Sequence, residues 1–187
     1  MKRASRYHPL LVALHWLLAL LLLGSLGAGF FLVRVMPNTD PQKIGVLKIH
    51  MAAGMLILAL MVIRFIVRMS TARPGPASTG VPSVDRLVPV GHLVMYLLVV
   101  LMAATGYATG LLAGLPDIVF AGSGKPLPPD FTVFPTRVAH GYIAIILAVS
   151  IVLHVLAALY HQFVRKDGLL RRMWFGRRKV EVASATK

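Results

Sequence analysis

Four long stretches of apolar residues restrict the folds that this chain can adopt. They cover approximately residues 9–33, 44–69, 87–115 and 134–164. Each exceeds the roughly 20 residues that a helix needs to cross the hydrocarbon core of a bilayer. Charged side chains within them are few and lie near the ends, because burying a charge in lipid is costly. We therefore predict an all-α integral membrane protein built as a four-helix bundle.

The composition agrees with a single membrane domain over residues 1–187. Hydrophobic residues make up 57% of the chain and charged residues only 14%, which is too little polar surface for a water-soluble protein of this size. The connections between the apolar stretches are short and rich in proline and glycine, so we expect no soluble module. A basic tail is predicted at residues 165–187.

Lysine and arginine gather on one predicted side of the membrane, and the net charge is +14. An even number of helices puts both termini and the second connection on the same side, which the positive-inside rule identifies as the cytoplasm. Membrane-flanking cations explain the charge, so we predict lipid and not nucleic acid as a partner. The tail motif RKDGLLRRMWFGRRK is either an interfacial amphipathic segment on anionic lipid or a solvated tail.

Four histidines lie inside the apolar stretches, at two depths of the predicted bundle. The first helix enters from the cytoplasm and the second returns from the periplasm, so His15 is in the cytoplasmic half and His50 is near the periplasmic end. The fourth helix starts at the periplasm, which puts His140 level with His50. His154 follows fourteen residues later on nearly the same face, about 21 Å deeper and level with His15.

Two facing imidazoles at each depth suit haem iron better than other metals. A zinc or copper site normally gathers three or four ligands, whereas two axial imidazoles complete the coordination of a porphyrin-bound iron that transfers single electrons. The chain has no cysteine, so two b haems would be held noncovalently. A lone histidine in a helix bundle more often only bonds to a neighbour. A haem-free transporter or scaffold is therefore the alternative of a different class.

Other side chains in the cytoplasmic layer are candidates for supporting roles. Arg64 lies fourteen residues after His50, level with the cytoplasmic pair, and we predict that it binds a haem propionate. The alternative is that it snorkels to the headgroups. His92 and His161 are each an alternative axial ligand or a proton carrier for a quinone. Trp16 is predicted to border the same quinone, although interfacial aromatics are common in membrane proteins.

An ordered set of motifs extends from about Tyr7 to Met173: ALHWLLALLL, KIHMAAGMLILALMVIRFIVR, VGHLVMYLLV, RVAHGY and LHVLAALYHQFVRKDGLLRRM. Together they resemble the bacterial cytochrome b561 family of four-helix di-haem membrane proteins. Its members resemble the cytochrome b subunits of hydrogenases and formate dehydrogenases. Some act as superoxide oxidases that pass electrons to ubiquinone. The resemblance implies a multi-pass protein of the bacterial inner membrane.

Carried over by motif, the resemblance implies that the haem ligands are His15, His50, His140 and His154, the same four that the depth argument selects. It also implies a cytoplasmic quinone end, with Trp16 and His161 at the matching positions. The connection from Leu115 to Pro135 carries no motif of the family, so the periplasmic electron donor is left open.

The histidine levels predict electron transfer across the membrane, and the resemblance implies a superoxide:quinone oxidoreductase-like protein of the inner membrane. The donor would be periplasmic, with superoxide as a candidate, and the acceptor would be ubiquinone. The alternative is a cytochrome b membrane subunit or electron carrier for a separate periplasmic dehydrogenase or redox partner. Four cations are candidates for attracting superoxide to the periplasmic haem: Lys43, Lys48, Lys125 and Arg137.

Overall fold

Four long helices dominate the computed structural model, which describes residues 2–75 and 82–182. They are α1 (Pro9–Ala28), α2 (Gln42–Ser70), α3 (Pro82–Leu112) and α4 (Pro135–Tyr160). A π-helical turn extends α1 through Gly29–Val33, and another extends α4 through His161–Arg165. All four are long and apolar enough to span a membrane, which confirms the predicted all-α architecture. Part of the predicted single domain, including Lys187, falls outside the described residues.

Most apolar side chains of these helices point outward. In the most hydropathic window of each span only 11–17% of residues are buried, and Leu20 and Phe31 are 70% and 76% exposed. Such an apolar surface is suited to lipid. The helical backbone is suited to lipid as well, because a helix satisfies its own backbone hydrogen bonds. The outer face of the bundle is therefore suited to hydrocarbon.

The centre of the bundle is a cluster of buried side chains to which every helix contributes. α1 packs on α2, α2 on α3, and α3 on α4. Leu147 of α4 is 2% exposed and lies seven residues from both His140 and His154, so the cluster separates the two histidine levels. Its members are Leu18, Ile57, Met61, Leu98, Val99 and Leu147.

The two ends of the chain meet beside the connection after α2. Strand β1 (Lys2–Ala4) pairs antiparallel with β2 (Val180–Val182), with Ala4 opposite Val180. The Ala4 N–H donates to the Arg73 carbonyl over 3.2 Å, and the Arg172 guanidinium donates to the Gly75 carbonyl over 2.9 Å. These three basic segments, residues 2–8, 71–75 and 166–182, form what we call the basic end of the molecule.

The tail folds back on the N-terminal segment, and its placement on anionic lipid stays a prediction. Leu169–Met173 forms one 3-10 helical turn, and the chain then continues into β2. The Arg6 guanidinium holds this segment by donating to the carbonyls of Arg171, Trp174 and Phe175 over 3.1–3.3 Å. Because these contacts join residues 165–169 positions apart, neither helical periodicity nor local charge revealed them.

The opposite end, which we call the loop end, consists of residues 34–41 and 113–134. A π-helical turn at Pro116–Phe120 contributes Ile118 and Val119 to a second buried cluster. The Asn38 side-chain amide donates to the carbonyls of Pro128 and Pro129 over 2.7 and 3.0 Å. This amide ties the two connections together over the ends of the helices.

Candidate functional site

The first histidine pair lies near the loop end, between α2 and α4. The ring centroids of His50 and His140 are 6.2 Å apart, and the ring planes are inclined at 77°. His140 Nδ1 donates to the Met102 carbonyl over 3.0 Å, and His50 Nδ1 lies 3.4 Å from the Ser25 hydroxyl. A carbonyl only accepts, so His140 carries its proton on Nδ1 and keeps the Nε2 lone pair for another partner.

The second pair lies toward the basic end, between α1 and α4. The centroids of His15 and His154 are 6.3 Å apart, at an interplanar angle of 70°. The His92 ring of α3 lies 5.7 Å from that of His154, and its Nδ1 donates to the Val88 carbonyl over 2.8 Å. The structure thus brings the four predicted histidines into the two expected pairs and adds His92 at the second level.

The ring separation of each pair leaves room for a metal ion between the two imidazoles, since a metal–nitrogen bond measures about 2.0 Å. In the described part of the chain, no group of three or more His, Cys, Asp or Glu residues is arranged to hold a metal ion. Two imidazoles per level suit a metal that brings its other ligands with it, as haem iron does.

The first pair faces a cavity of about 820 Å³ whose walls include several glycines. A Cβ atom at Gly106 would lie 3.0 Å from Cε1 of His140, and one at Gly29 would lie 3.4 Å from Cε1 of His50. At Gly54 a Cβ would meet nothing within 4 Å. The missing side chains leave space for the two rings and for a flat group beside them, which agrees with a haem cradle.

The four candidate cations lie within or beside the loop end and occupy different environments. Arg137 lines the cavity and packs on Gly141, where a Cβ would lie 3.2 Å from its Nη1. Lys43 is only 4% exposed, and its Nζ donates to the Met36 carbonyl and to Asn38 Oδ1 over 2.6 and 2.5 Å. Lys48 and Lys125 are exposed. Lys43 therefore stabilises the loop end from within through its hydrogen bonds. Lys48 and Lys125 are the candidates whose side chains are exposed.

The Arg64 guanidinium lies at the level of the second pair. Its Nη1 donates to the Tyr96 hydroxyl over 2.9 Å, and its Cζ is 5.8 Å from the centre of the Tyr96 ring. It is close enough to interact electrostatically with His15 and His154. The hydrogen bond to Tyr96 uses only one nitrogen of the half-buried guanidinium. The group can therefore also bind an anion, such as a haem propionate.

Two of the three predicted quinone-site residues, Trp16 and His161, adjoin the chain that follows α4, whereas His92 lies beside His154. Trp16 packs 5.4 Å from His15, and its indole N–H donates to the Met173 carbonyl over 2.9 Å. Its ring also contacts Trp174 at 5.5 Å. His161 is 7% exposed and hydrogen-bonds to Asp167. Sequence reasoning missed Asp167 and Tyr96, because the turn around Asp167 and the neighbour of Arg64 follow from three-dimensional packing.

Apolar spanning helices that carry paired imidazoles define the class of membrane b-type cytochromes, which transfer electrons. The chain belongs to the prokaryotic cytochrome b561 family, whose model matches residues 6–176. This match confirms the predicted resemblance and makes the chain a multi-pass bacterial membrane protein with haem b as its cofactor.

Two relatives each match most of the chain. One is cytochrome b561 homolog 2 of Escherichia coli strain K12, which is 29% identical over 176 residues, 90% of this chain and 91% of that protein. The other is the probable superoxide oxidase CybB of Yersinia pestis, which is 29% identical over 174 residues, 90% of this chain and 96% of that protein. The similarity thus covers all four helices.

Proposed function

We propose that this cytochrome takes electrons from superoxide in the periplasm and delivers them to ubiquinone near the cytoplasmic face of the inner membrane. The observation that carries the proposal is the pairing of four histidines at two levels of a four-helix bundle. The superoxide oxidase name of the relative from Yersinia pestis supports this choice of donor. The basic end would face the cytoplasm, in accordance with the positive-inside rule.

In this proposal His50 and His140 hold one haem b, and His15 and His154 hold the other. Bound there, the two haems would supply one-electron carriers at two depths of the membrane. The chain orients the ligands through the Nδ1 hydrogen bond of His140 and excludes water with the leucine-rich cluster between the levels. His92 is an alternative axial ligand at the second level, supported by its 5.7 Å distance from His154.

The balanced reaction joins two one-electron oxidations to one two-electron reduction. Two superoxide anions each lose one electron and leave as O₂. One ubiquinone gains both electrons and two protons and leaves as ubiquinol. Because O₂ and superoxide are periplasmic in this scheme and the protons come from the other side, the basic end needs a proton donor.

Two arginines are the proposed partners of the haem propionates. Arg64 would serve the haem near the basic end, in line with its position beside Tyr96 and its interaction with the second histidine pair. Arg137 would serve the other haem, since it lines the glycine-walled cavity. Charge-assisted hydrogen bonds from guanidinium groups suit carboxylates in such sites.

Entry of superoxide would use the positive potential of the loop end. Lys48 and Lys125 face outward there, and Arg137 lies deeper, on the wall of the cavity. An anion is attracted first by the two surface lysines and then by the arginine on the cavity wall. This arrangement supports electrostatic steering of superoxide. Lys43 contributes to the same potential from its internal position.

The test is to mix purified protein in detergent with a superoxide source and a short-chain ubiquinone, and to follow haem absorbance and quinol formation together. We expect haem reduction and about one ubiquinol per two superoxide anions consumed. Haem that quinol or dithionite reduces but superoxide does not would overturn the choice of donor. Copurification with a periplasmic dehydrogenase in that case would favour the electron-carrier alternative.

A further inference from the structure

The turn that follows α4 places a carboxylate against a buried histidine. After the π-helical turn His161–Arg165, Lys166 adopts a left-handed conformation with φ 53° and Gly168 adopts another with φ 68°. The chain reverses between them, so Asp167 lies over the last turn of the fourth span. Its Oδ1 accepts the N–H of Leu169 over 3.0 Å, and its Oδ2 accepts from His161 Nδ1 over 2.5 Å.

This contact fixes the protonation pattern of His161. The hydrogen bond from His161 is the largest cause that lowers the pKa of Asp167, and the nearby Arg165 lowers it further. The carboxylate is therefore ionised at neutral pH and can only accept, so His161 must carry a proton on Nδ1. The Nε2 atom is then the ring nitrogen that is left to face another partner.

The His161–Asp167 pair lies at the boundary between solvent and the interior of the bundle. The His161 ring is 7% exposed, whereas Asp167 is exposed at the basic end. Tyr160, at 6.0 Å between ring centroids, is the aromatic neighbour of His161. His161 lies seven residues, about two helical turns, beyond His154 in the same span, toward the tail segment whose Met173 carbonyl accepts the indole N–H of Trp16.

We propose that Asp167 is a positioning residue that holds His161 as the proton donor to ubiquinone at the basic end. The inference rests on the function proposed above. Reduction of one ubiquinone consumes two electrons, supplied by two superoxide anions, and two protons. His161 gives one proton from Nε2 to a quinone oxygen, becomes neutral with Nδ1–H bonded to Asp167, and regains a proton from cytoplasmic water. A second transfer by the same route completes ubiquinol.

The test isolates this step from the donor reaction. Protein reduced with dithionite holds two electrons, and stopped-flow mixing with a water-soluble ubiquinone measures how fast haem is reoxidised at saturating quinone. In Asp167→Asn the side-chain oxygen can still accept the Leu169 N–H. The NH₂ group then faces His161 Nδ1, and it cannot accept a hydrogen bond from that nitrogen. Asp167→Glu keeps the carboxylate. Asp40→Asn is the matched control, since Asp40 likewise accepts the N–H two residues on, that of Gln42, but lies at the loop end and does not line the cavity.

We expect Asp167→Asn to lower the saturated reoxidation rate about tenfold to a hundredfold, which is less than the roughly 10²–10⁴-fold that a general acid contributes, because His161 itself remains. The dissociation constant for quinone, measured by calorimetry, and the haem spectrum should not change. Asp167→Glu should recover much of the rate, and Asp40→Asn should match the wild type.

Two results would overturn the inference: an Asp167→Asn rate equal to that of the wild type, or a loss that higher quinone concentrations fully restore. Should Asp167→Asn fail to retain haem, His161→Gln carries the same test, and a wild-type rate in that variant would also overturn it. If the reduced wild-type protein is not reoxidised by ubiquinone at all, the proposed acceptor fails. If it is reoxidised but superoxide cannot reduce it, only the proposed donor fails.

Discussion

At the scale of single residues, Arg64 shows how much of a buried site can be anticipated from helical spacing. Its depth follows from its fourteen-residue separation from His50, and the structure has it at the level of the second pair. Its contact with Tyr96 could not be predicted, because that contact depends on how α3 packs on α2. Its role toward a propionate stays a prediction.

Replacing Arg64 by leucine should lower the midpoint potential of the haem near the basic end. A positive unit charge about 10 Å from the iron, at an effective dielectric constant of about 20, stabilises the reduced haem by about 1.7 kcal/mol. For one electron this raises the midpoint potential by roughly 70 mV. A redox titration followed in the visible region measures the shift. Arg64→Lys keeps the positive charge, so the midpoint potential of this haem should stay close to that of the wild type. A retained haem with unchanged potential in Arg64→Leu would refute the assignment.

The histidines illustrate the same division. Their two levels follow from helix direction and periodicity, and the ring pairs at 6.2 and 6.3 Å have the predicted partners. Asp167 was unpredictable because its contact with His161 requires two left-handed residues in succession around it. A charged residue in a basic tail has the same sequence signature whether it faces water or a histidine.

At the scale of elements, α3 presents small residues to the ligand helix α4. We predict that Gly106→Ala reduces haem content from two to about one per chain, because its Cβ would lie 3.0 Å from the His140 ring. Gly110→Ala is the control, since its Cβ would meet only the flexible Cε of Met51, at 3.1 Å. A pyridine haemochrome assay of both proteins measures the difference. Equal haem content in the two variants would show that Gly106 serves general helix packing.

The basic end yields a second element-scale prediction. Arg6 donates to three carbonyls of the tail, so Arg6→Ala should free that segment and speed tryptic cleavage after residues 166–179 about fivefold, which corresponds to roughly 1 kcal/mol of lost local stability. Arg177→Ala, at an exposed position of the same segment, should leave cleavage at the remaining sites unchanged. Equal cleavage in Arg6→Ala and the wild type would mean that the other contacts of the tail, such as the β1–β2 pairing and the Arg172–Gly75 bond, hold it without Arg6.

The four helices were predictable at this scale because each is a continuous apolar run with charges near its ends. The β1–β2 ladder was not, since three-residue strands carry no periodic signal and pair residues at opposite ends of the chain. The π-helical turns at Gly29–Val33 and His161–Arg165 were also missed. Such turns depend on where the next segment packs and not on a local residue preference.

At the scale of the whole molecule, the charge distribution predicts how superoxide reaches the protein. If the cations of the loop end steer the anion, the rate of haem reduction by superoxide should fall severalfold between about 20 and 500 mM salt, as screening shortens the reach of the field. The double variant Lys48→Ala, Lys125→Ala should start lower and depend less on salt. A wild-type rate independent of ionic strength would count against steering.

The central claim is that each histidine pair holds one haem b, and haem counting tests it most directly. We would measure the pyridine haemochrome content and the reduced-minus-oxidised spectrum of the wild type, His140→Ala, His154→Ala and His161→Ala. The account predicts two low-spin b haems in the wild type and in His161→Ala, and about one in each of the other two. Loss of a haem in His161→Ala with retention of both in His154→Ala would contradict the pairing, and a wild type without haem would contradict the account as a whole.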